Sequence, residues 1–327
     1  MSSRQPAPLV ALGLLTLGEL GLLQRILFAD PREYGFVLES VRGVLAGTPV
    51  SKSWAHRLLA PALVRALEPL AGGPLGALRA FTFGTVTAAN VLLFVLLRKS
   101  GVDAWRSLAV CAAYVVARLL LTYRLEYPWD EVDAILFLLF AHSVVRGRSL
   151  VPGALLLVGL FNHETALLFP LWYMLVPLER PRPDTAPREL ALGSAALVAG
   201  GAVIALLRGA RYVGRPKLSG QVFEAATPVV ENHLHVSHNL HQLVYADWTH
   251  ARRFIGTTFF VALVALVTLI FRSKDVRAAV WSLAFLSTVV AFGYVNETRH
   301  YLPLLSFWAV YWAARKYAAV EHSSLPA

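Results

Sequence analysis

Long apolar runs separated by short polar connectors recur along the chain and predict an all-α, polytopic membrane protein. A transmembrane helix needs about 20 apolar residues. The predicted spans are 9–29, 78–97, 105–123, 132–145, 190–207, 254–271, 278–295 and 301–314. No small-x-small cleavage pattern follows the first run, so we expect an uncleaved first helix.

The segment 150–178 does not fit this pattern, because Asn162, His163 and Glu164 interrupt its apolar run "LFNHETALLFP". As one helix it would extend more than about 40 Å, whereas the apolar core of a bilayer is about 30 Å thick. Two interpretations follow. The segment is either one tilted helix with a polar middle, or two short helices that meet at 162–165 near one membrane face.

The positive-inside rule separates the two interpretations only in part. If the segment is broken and the N-terminus lies inside, the inside connectors carry Arg180, Arg182, Arg188, Arg272, Lys274, Arg277, Arg315 and Lys316. The short outside loops then carry only Arg299, but the long loop 208–253 carries six more basic residues. Discounting that loop favours the broken segment and about ten membrane segments.

Composition supports a membrane protein, because 57% of the residues are hydrophobic and 15% are charged. Soluble domains carry about 25% charged residues. The lone Cys111 excludes an intramolecular disulfide and a cysteine-type zinc site. The formal net charge is +10, and the basic residues flank the apolar runs. We therefore expect contacts with membrane lipid and no nucleic-acid partner. We predict one transmembrane domain, 1–327, with an outside loop 30–75 containing juxtamembrane helices and a His-containing outside loop 208–253.

The unusual polar residues all fall on the predicted outside face. The candidates are Asp30, Glu33, His56, Arg57, Arg118, Arg124, Asp130, Asp133, His163, Glu164, Glu297 and Arg299. A carboxylate can deprotonate a hydroxyl or bind a metal, and arginine or histidine can hold a phosphate. Charged residues at helix ends are more often solvated anchors. That alternative is weaker for Glu164 and Arg118, which lie nearer the lipid core.

The outside loop also contains a histidine cluster, "ENHLHVSHNLHQL". Its members are His233, His235, His238 and His241. They could bind zinc or copper. The same stretch could instead form an interfacial amphipathic helix, on which four histidines fan over too wide an arc to reach one ion.

The order of these features resembles the polytopic GT-C glycosyltransferases, which include protein mannosyltransferases and aminoarabinose transferases of lipid A. In that family a carboxylate follows the first helix, here "FADPRE", and surface helices follow, here near "AHRLLAP". Later matches are "GALRAFTFGTVTAANVLLFVLLRK", "EYPWDEVDAILFLLF" and the turn "LFNHETALLFP". The resemblance covers about the first 180 residues, and "NETRHYLPLL" is similar to a late family motif.

The resemblance implies a donor sugar carried on a polyprenyl phosphate and transferred to an unknown acceptor at the outer face. Asp30 would be the general base, with Glu33 as the substitute. Arg124, His163 and Arg299 would hold the departing lipid phosphate. Asp130 and Asp133 would position these phosphate-binding residues or a divalent metal.

This sequence departs from the family in having His163 where a lysine is usual and Pro31 after the first carboxylate. The expected location is the bacterial inner membrane, with both termini cytoplasmic. The rival interpretations are a transporter, a lipid-binding scaffold or an inactive relative of the family. Transporters commonly have broken helices in both halves, and the sequence contains one such segment.

Overall fold

The computed structural model describes residues 6–49, 52–122, 127–148, 150–179, 183–212, 236, 275–292 and 298–323. Most of these residues are helical, with turns between the helices and no strand among them. The helices are α1 (Ala7–Leu27), α2 (Pro31–Ala46), α3 (Leu59–Leu67), α4 (Pro74–Lys99), α5 (Ala104–Leu121), α6 (Pro128–Val145), α7 (Leu150–Leu160), α8 (Leu168–Met174), α9 (Ala186–Arg211), α10 (Val276–Phe292) and α11 (Leu302–Ser323). The predicted span 254–271 and the histidine cluster lie outside the described residues.

The predicted spans that fall within the described residues are helices. Most of their ends lie within a few residues of the prediction, but α11 continues nine residues beyond the predicted end at 314. The predicted span 132–145 begins earlier, at Pro128, and has 18 residues. Proline is well suited to the first turn of a helix, because its missing N–H has no intrahelical partner there.

The segment 150–178 is two short helices, as the broken interpretation predicts. Helix α7 ends at Leu160, His163 is extended (φ −158°, ψ 148°), and a 3₁₀ turn follows over Glu164–Leu167. Pro170 supplies no N–H and so could not extend a continuous helix through the turn. It is instead accommodated in the first turn of α8, which begins at Leu168.

The outer surfaces of the long helices are apolar, which indicates an integral membrane protein. Within the described residues, α1, α4, α5 and α9 are long and apolar enough to cross a bilayer. Leu17 is 66% exposed and Val198 is 73% exposed. Extended apolar surfaces of this kind on a soluble protein would promote association, whereas a lipid environment accommodates them.

Two short helices occupy the connection between α1 and α4, where the sequence predicts juxtamembrane helices. The Asp30 carboxylate accepts a hydrogen bond of 2.9 Å from the Arg32 amide and caps α2. Helix α2 ends at Gly47, whose φ of 76° suits glycine. A 3₁₀ turn over Lys52–His56 then leads into α3.

An aromatic core joins α6, α8, α10 and α11. Phe140 of α6 stacks on Phe169 of α8 at 4.5 Å between ring centroids, and Trp281 of α10 packs on Phe307 of α11 at 4.4 Å. The Trp281 indole donates a hydrogen bond of 2.7 Å to the Leu168 carbonyl. This bond fixes the short helix α8 against α10.

The ends of the helices form two polar ends of the bundle, and Arg277 at the start of α10 pairs with Glu179 at one of them. One end, called here the cluster end, holds the ends of α1, α5 and α9, the starts of α4, α6 and α11, and the α7–α8 turn. Contacts across it include Arg208 Nε to His56 Nδ1 at 3.2 Å and Arg211 Nη2 to the Leu45 carbonyl at 3.0 Å. Which membrane side it faces, and the number of spans, remain predictions.

We expect Gly193→Ala to lower stability, because a Cβ there would lie 2.8 Å from the Pro170 carbonyl oxygen of α8. Overpacking of this kind costs about 1–3 kcal/mol. Gly201 on the same helix has no heavy atom within 4 Å of the added Cβ, so Gly201→Ala should be neutral or stabilise α9 by up to about 1 kcal/mol. Thermal unfolding of the two purified variants checks this, and equal losses would contradict the packing.

Candidate functional site

Three basic side chains surround the Glu164 carboxylate at the α7–α8 turn. Arg57 binds it in a bidentate manner, with Nη2 at 2.7 Å from Oε1 and Nε at 3.2 Å from Oε2. His56 Nε2 lies 3.4 Å and Arg208 Nη2 lies 3.6 Å from Oε2. We call His56, Arg57 and Arg208 the basic shell. The side chains of Glu164 and Arg208 are 31% and 28% exposed, so the shell opens to the surroundings on one side.

Backbone and aromatic contacts hold the basic shell in place. The Leu59 amide donates a hydrogen bond of 2.8 Å to the Phe161 carbonyl and so ties the start of α3 to the end of α7. The Arg57 guanidinium lies 5.7 Å from the ring centroid of Trp54 and 5.4 Å from that of Trp129. Flat aromatic faces attract a cation and exclude water from it.

The protonation of His56 follows from its partners. Arg208 Nε donates to His56 Nδ1, so the neutral ring carries its proton on Nε2, the atom that faces Glu164. Burial lowers the pKa of His56 below its usual 6.5, and Arg57 and Arg208 add to this against the opposing effect of Glu164. The ring is therefore neutral near pH 7, with its Nε2 atom facing Glu164 at 3.4 Å.

Burial alone would raise the pKa of Glu164. Arg57, followed by His163 and His56, overcomes that effect and holds the pKa well below its usual 4.5. Glu164 is therefore an anion at neutral pH, held by the basic shell.

Asp133 of α6 contacts the α7–α8 turn from the protein interior. Its Oδ1 accepts a hydrogen bond of 2.7 Å from Asn162 Nδ2, and its Oδ2 accepts one from the Thr165 hydroxyl. His163 Nδ1 lies 3.5 Å from the same Oδ2. Asn162, which is fully buried, also donates to the Trp129 carbonyl at 2.8 Å. These bonds give the irregular backbone of the turn partners inside the protein, as a membrane environment requires.

Asp130 connects the start of α6 to the start of α11. Its Oδ2 accepts a hydrogen bond of 3.0 Å from the Tyr127 amide and lies 3.6 Å from Arg299 Nε. The Arg299 guanidinium lies 4.4 Å from the Tyr127 ring centroid. Tyr127 stacks on Trp129 at 4.6 Å, so one aromatic wall serves both Arg299 and Arg57.

A separate ion pair lies deeper between α1, α5 and α6. Arg118 Nη2 donates to Glu131 Oε1, and Arg118 Nε lies 3.7 Å from Glu19 Oε1. The three side chains are at most 1% exposed. Arg118 therefore belongs to the helix packing rather than to the open basic shell.

The structure brings together most of the predicted candidates within the described residues. Those that converge at the cluster end are His56, Arg57, Asp130, Asp133, His163, Glu164 and Arg299. Asp30 is exposed, and its observed hydrogen bond caps α2. Glu33 is half-buried beside Tyr34 and Thr82. Outside the described residues lie Arg124, Glu297, His233, His235, His238 and His241.

Arg208 and the tryptophans Trp54 and Trp129 contribute to the site but are absent from the sequence-based candidates. Arg208 follows the apolar run 190–207 and therefore resembles an ordinary helix-end anchor. The sequence offers one signal for a role of Arg208 in the site: it lies at the predicted outside face, as Glu164 does. The tryptophans resemble interfacial anchors, and only the fold shows that they line the guanidinium of Arg57.

The chemistry of the site favours an anionic ligand. Among the described residues, no group of three or more histidine, cysteine or acidic side chains could hold a metal ion. The carboxylates near the opening already accept hydrogen bonds from arginine, amide or hydroxyl groups. The basic shell, in contrast, places several cationic or N–H groups around the single carboxylate of Glu164.

Comparisons with known proteins give no family for this chain. No family model matches it, and neither a curated protein nor a solved structure is significantly similar.

The stability of the protein should fall on acidification, because the pKa values of His56 and Glu164 are lower in the folded state than their usual values. The contribution of such a group is complete above its unfolded-state pKa and is lost as the pH falls through the folded-state value. The loss should begin below 6.5 with His56 and continue below 4.5 with Glu164.

His56→Asn keeps an acceptor for Arg208 but removes the titration. Its unfolding temperature should therefore decline less than that of the wild type between about pH 7 and pH 5.5. Differential scanning fluorimetry of the detergent-solubilised protein checks this. Parallel curves for the variant and the wild type would show that His56 does not contribute.

Proposed function

We propose that the protein is an integral membrane glycosyltransferase that uses a sugar carried on a polyprenyl phosphate, with the basic shell as the site of the lipid phosphate. The observation that carries the proposal is the convergence of Arg57, Arg208 and His56 on one partly exposed carboxylate at a break between two short helices. The resemblance to GT-C glycosyltransferases, in which such a turn borders the lipid-phosphate cavity, supports the reaction type.

The Glu164 carboxylate occupies the place that a phosphate would take. A phosphate can accept the same bidentate pair of hydrogen bonds from Arg57. When no ligand is bound, Glu164 neutralises the buried guanidinium, which would otherwise be costly. A bound phosphate would compete with Glu164, so the carboxylate is an internal counterion that a ligand displaces.

In the proposed reaction, the oxygen of an acceptor hydroxyl forms a bond to the anomeric carbon of the sugar, and the bond from that carbon to the phosphate oxygen breaks. The phosphate oxygen keeps the electron pair, and the basic shell stabilises its charge. The hydroxyl proton passes to a carboxylate, which the family resemblance assigns to Asp30, with Glu33 as the substitute. Glu164 and Asp133 are less suited to this role, because arginine, amide or hydroxyl donors already hold them.

A lipid-binding scaffold is the second candidate. One observation favours it: Asp30, the residue assigned as the base, has a structural role as the cap of α2. A scaffold would bind the lipid phosphate without transferring a sugar.

Arg208→Gln should weaken binding of a polyprenyl monophosphate to the full-length protein in lipid nanodiscs. A hydrogen bond to a charged group contributes about 1.5–3 kcal/mol, so the affinity should fall by about ten- to a hundredfold. Arg65→Gln is the matched control, because the Arg65 side chain is 66% exposed on α3 and lies outside the basic shell. Microscale thermophoresis with the polyprenyl phosphate, and with inorganic phosphate in parallel, measures the change.

Equal affinities of Arg208→Gln and Arg65→Gln would overturn the assignment of the basic shell as a phosphate site. Binding of inorganic phosphate with the same affinity as the lipid would indicate an anion site without lipid specificity.

Asp30→Asn should abolish transfer without destabilising the fold, because asparagine caps a helix about as well as aspartate. Loss of a general base lowers the rate by about 10²–10⁴-fold. Asp103→Asn is the control, because Asp103 caps α5 through the Trp105 and Arg106 amides at the other polar end. The assay follows release of polyprenyl phosphate from a panel of polyprenyl-phosphate sugars. Full activity of Asp30→Asn rules out Asp30 as the base, and binding without transfer in every form supports the scaffold.

A further inference from the structure

We infer that Glu19 is a buried proton-binding site, which holds one proton at neutral pH between α1 and α4, deep in the helix bundle. This inference is independent of the proposed function, because the site is separate from the basic shell. Glu19 lies eight residues before the end of α1, about 12 Å along the helix. It is 1% exposed, so it is shielded from water.

The first step in the argument is the charge around Glu19. Among the described residues facing it, Glu131 of α6 is a second acid and Arg118 of α5 is the base. Tyr114 of α5 is the remaining titratable neighbour, and its hydroxyl lies 3.0 Å from Ser306 Oγ of α11. Two ionised carboxylates beside one guanidinium would leave an uncompensated negative charge in a low-dielectric interior, which is strongly unfavourable.

The second step identifies which acid holds the proton. Arg118 Nη2 donates directly to Glu131 Oε1, which is the arrangement of a charge-assisted pair. Glu19 Oε1 lies 3.7 Å from Arg118 Nε, beyond ordinary hydrogen-bond distance. Glu131 is therefore the ionised partner of Arg118, and Glu19 is the acid that is left to be neutralised.

The contact with Asn90 of α4 supports a proton on Glu19. The Asn90 amide nitrogen, as placed, lies 2.6 Å from Glu19 Oε2 and 3.3 Å from Thr16 Oγ1. A separation of 2.6 Å is short for N–H···O but typical of O–H···O. The nitrogen and oxygen of an asparagine amide are interchangeable by a flip. After the flip, protonated Glu19 donates to Asn90 Oδ1, and the Thr16 hydroxyl can donate to the same oxygen.

A proton fits this site better than a metal cation. The guanidinium of Arg118 lies next to Glu19 and would repel a cation, whereas a neutral carboxylic acid avoids that repulsion. The ligand of the site is thus a single proton. It connects α1 to α4 and leaves the Glu131–Arg118 pair to connect α5 to α6.

The test compares Glu19→Gln with Glu131→Gln in the full-length protein in lipid nanodiscs. Glutamine resembles a protonated glutamic acid, so Glu19→Gln should unfold at nearly the wild-type temperature. Glu131→Gln removes the carboxylate that Arg118 contacts directly and leaves only the more distant Glu19 as a counterion, so it should lower the unfolding temperature by several degrees. Glu39→Gln, at an exposed position of α2, is the matched control and should have no effect.

Infrared spectroscopy gives an independent readout. The wild type at neutral pH should show the C=O stretch of a protonated carboxyl group, shifted in D₂O, and Glu19→Gln should lose the intensity of one such group. Glu39→Gln should keep that intensity. Two results would overturn the inference: an unchanged band in Glu19→Gln, or misfolding or destabilisation of Glu19→Gln comparable to that of Glu131→Gln. Either would identify Glu19 as an anion paired with Arg118.

Discussion

The need to pair the acidic first turn of α6 inside an apolar bundle constrains most of this structure. Asp130, Glu131 and Asp133 are buried at the start of the helix. Successive residues of an α-helix are about 100° apart, so the three carboxylates face different neighbours. Asp130 meets Arg299 before α11, Glu131 meets Arg118 on α5, and Asp133 meets the α7–α8 turn. A buried charge that loses its partner costs about 3–5 kcal/mol, so these pairs fix α5, α11 and the turn around α6.

Asp133 holds the α7–α8 turn, and that turn positions Glu164. Glu164 then contacts the three residues of the basic shell, which come from distant parts of the chain. Arg57 and Glu164 are 107 residues apart in sequence, and His56 and Arg208 are 152 residues apart. Because Trp129 lies in the first turn of α6, the same helix that holds the acids also supplies an aromatic face for Arg57. The packing of the turn and the proposed phosphate site therefore depend on the same few side chains.

The sequence predicts the helical fold and the broken segment well, because both follow from apolar length. A run of this length with Asn162 and His163 at its centre is too long for one span and too polar for an uninterrupted one. Side-chain partners are harder to predict. The sequence around Arg208 would look the same whether its side chain is a lipid anchor or an ion-pair partner of Glu164. The prediction for Asp30 shows a similar limit. Aspartate before Pro31 fits an N-cap as well as a catalytic base, and the observed hydrogen bond accounts for the capping role.

Two carboxylates outside α6, the buried Glu19 and the partly exposed Glu164, illustrate opposite ways of placing an acid inside a membrane protein. Glu164 is surrounded by three bases and is held as an anion, so it can be replaced only by another anion. Glu19 shares Arg118 with Glu131, and its neutral form avoids an excess of negative charge. In a medium of low dielectric constant the balance of charges around each acid decides its state. The proposed phosphate site is accordingly the open basic shell, whereas the proposed proton site is the closed surroundings of Glu19.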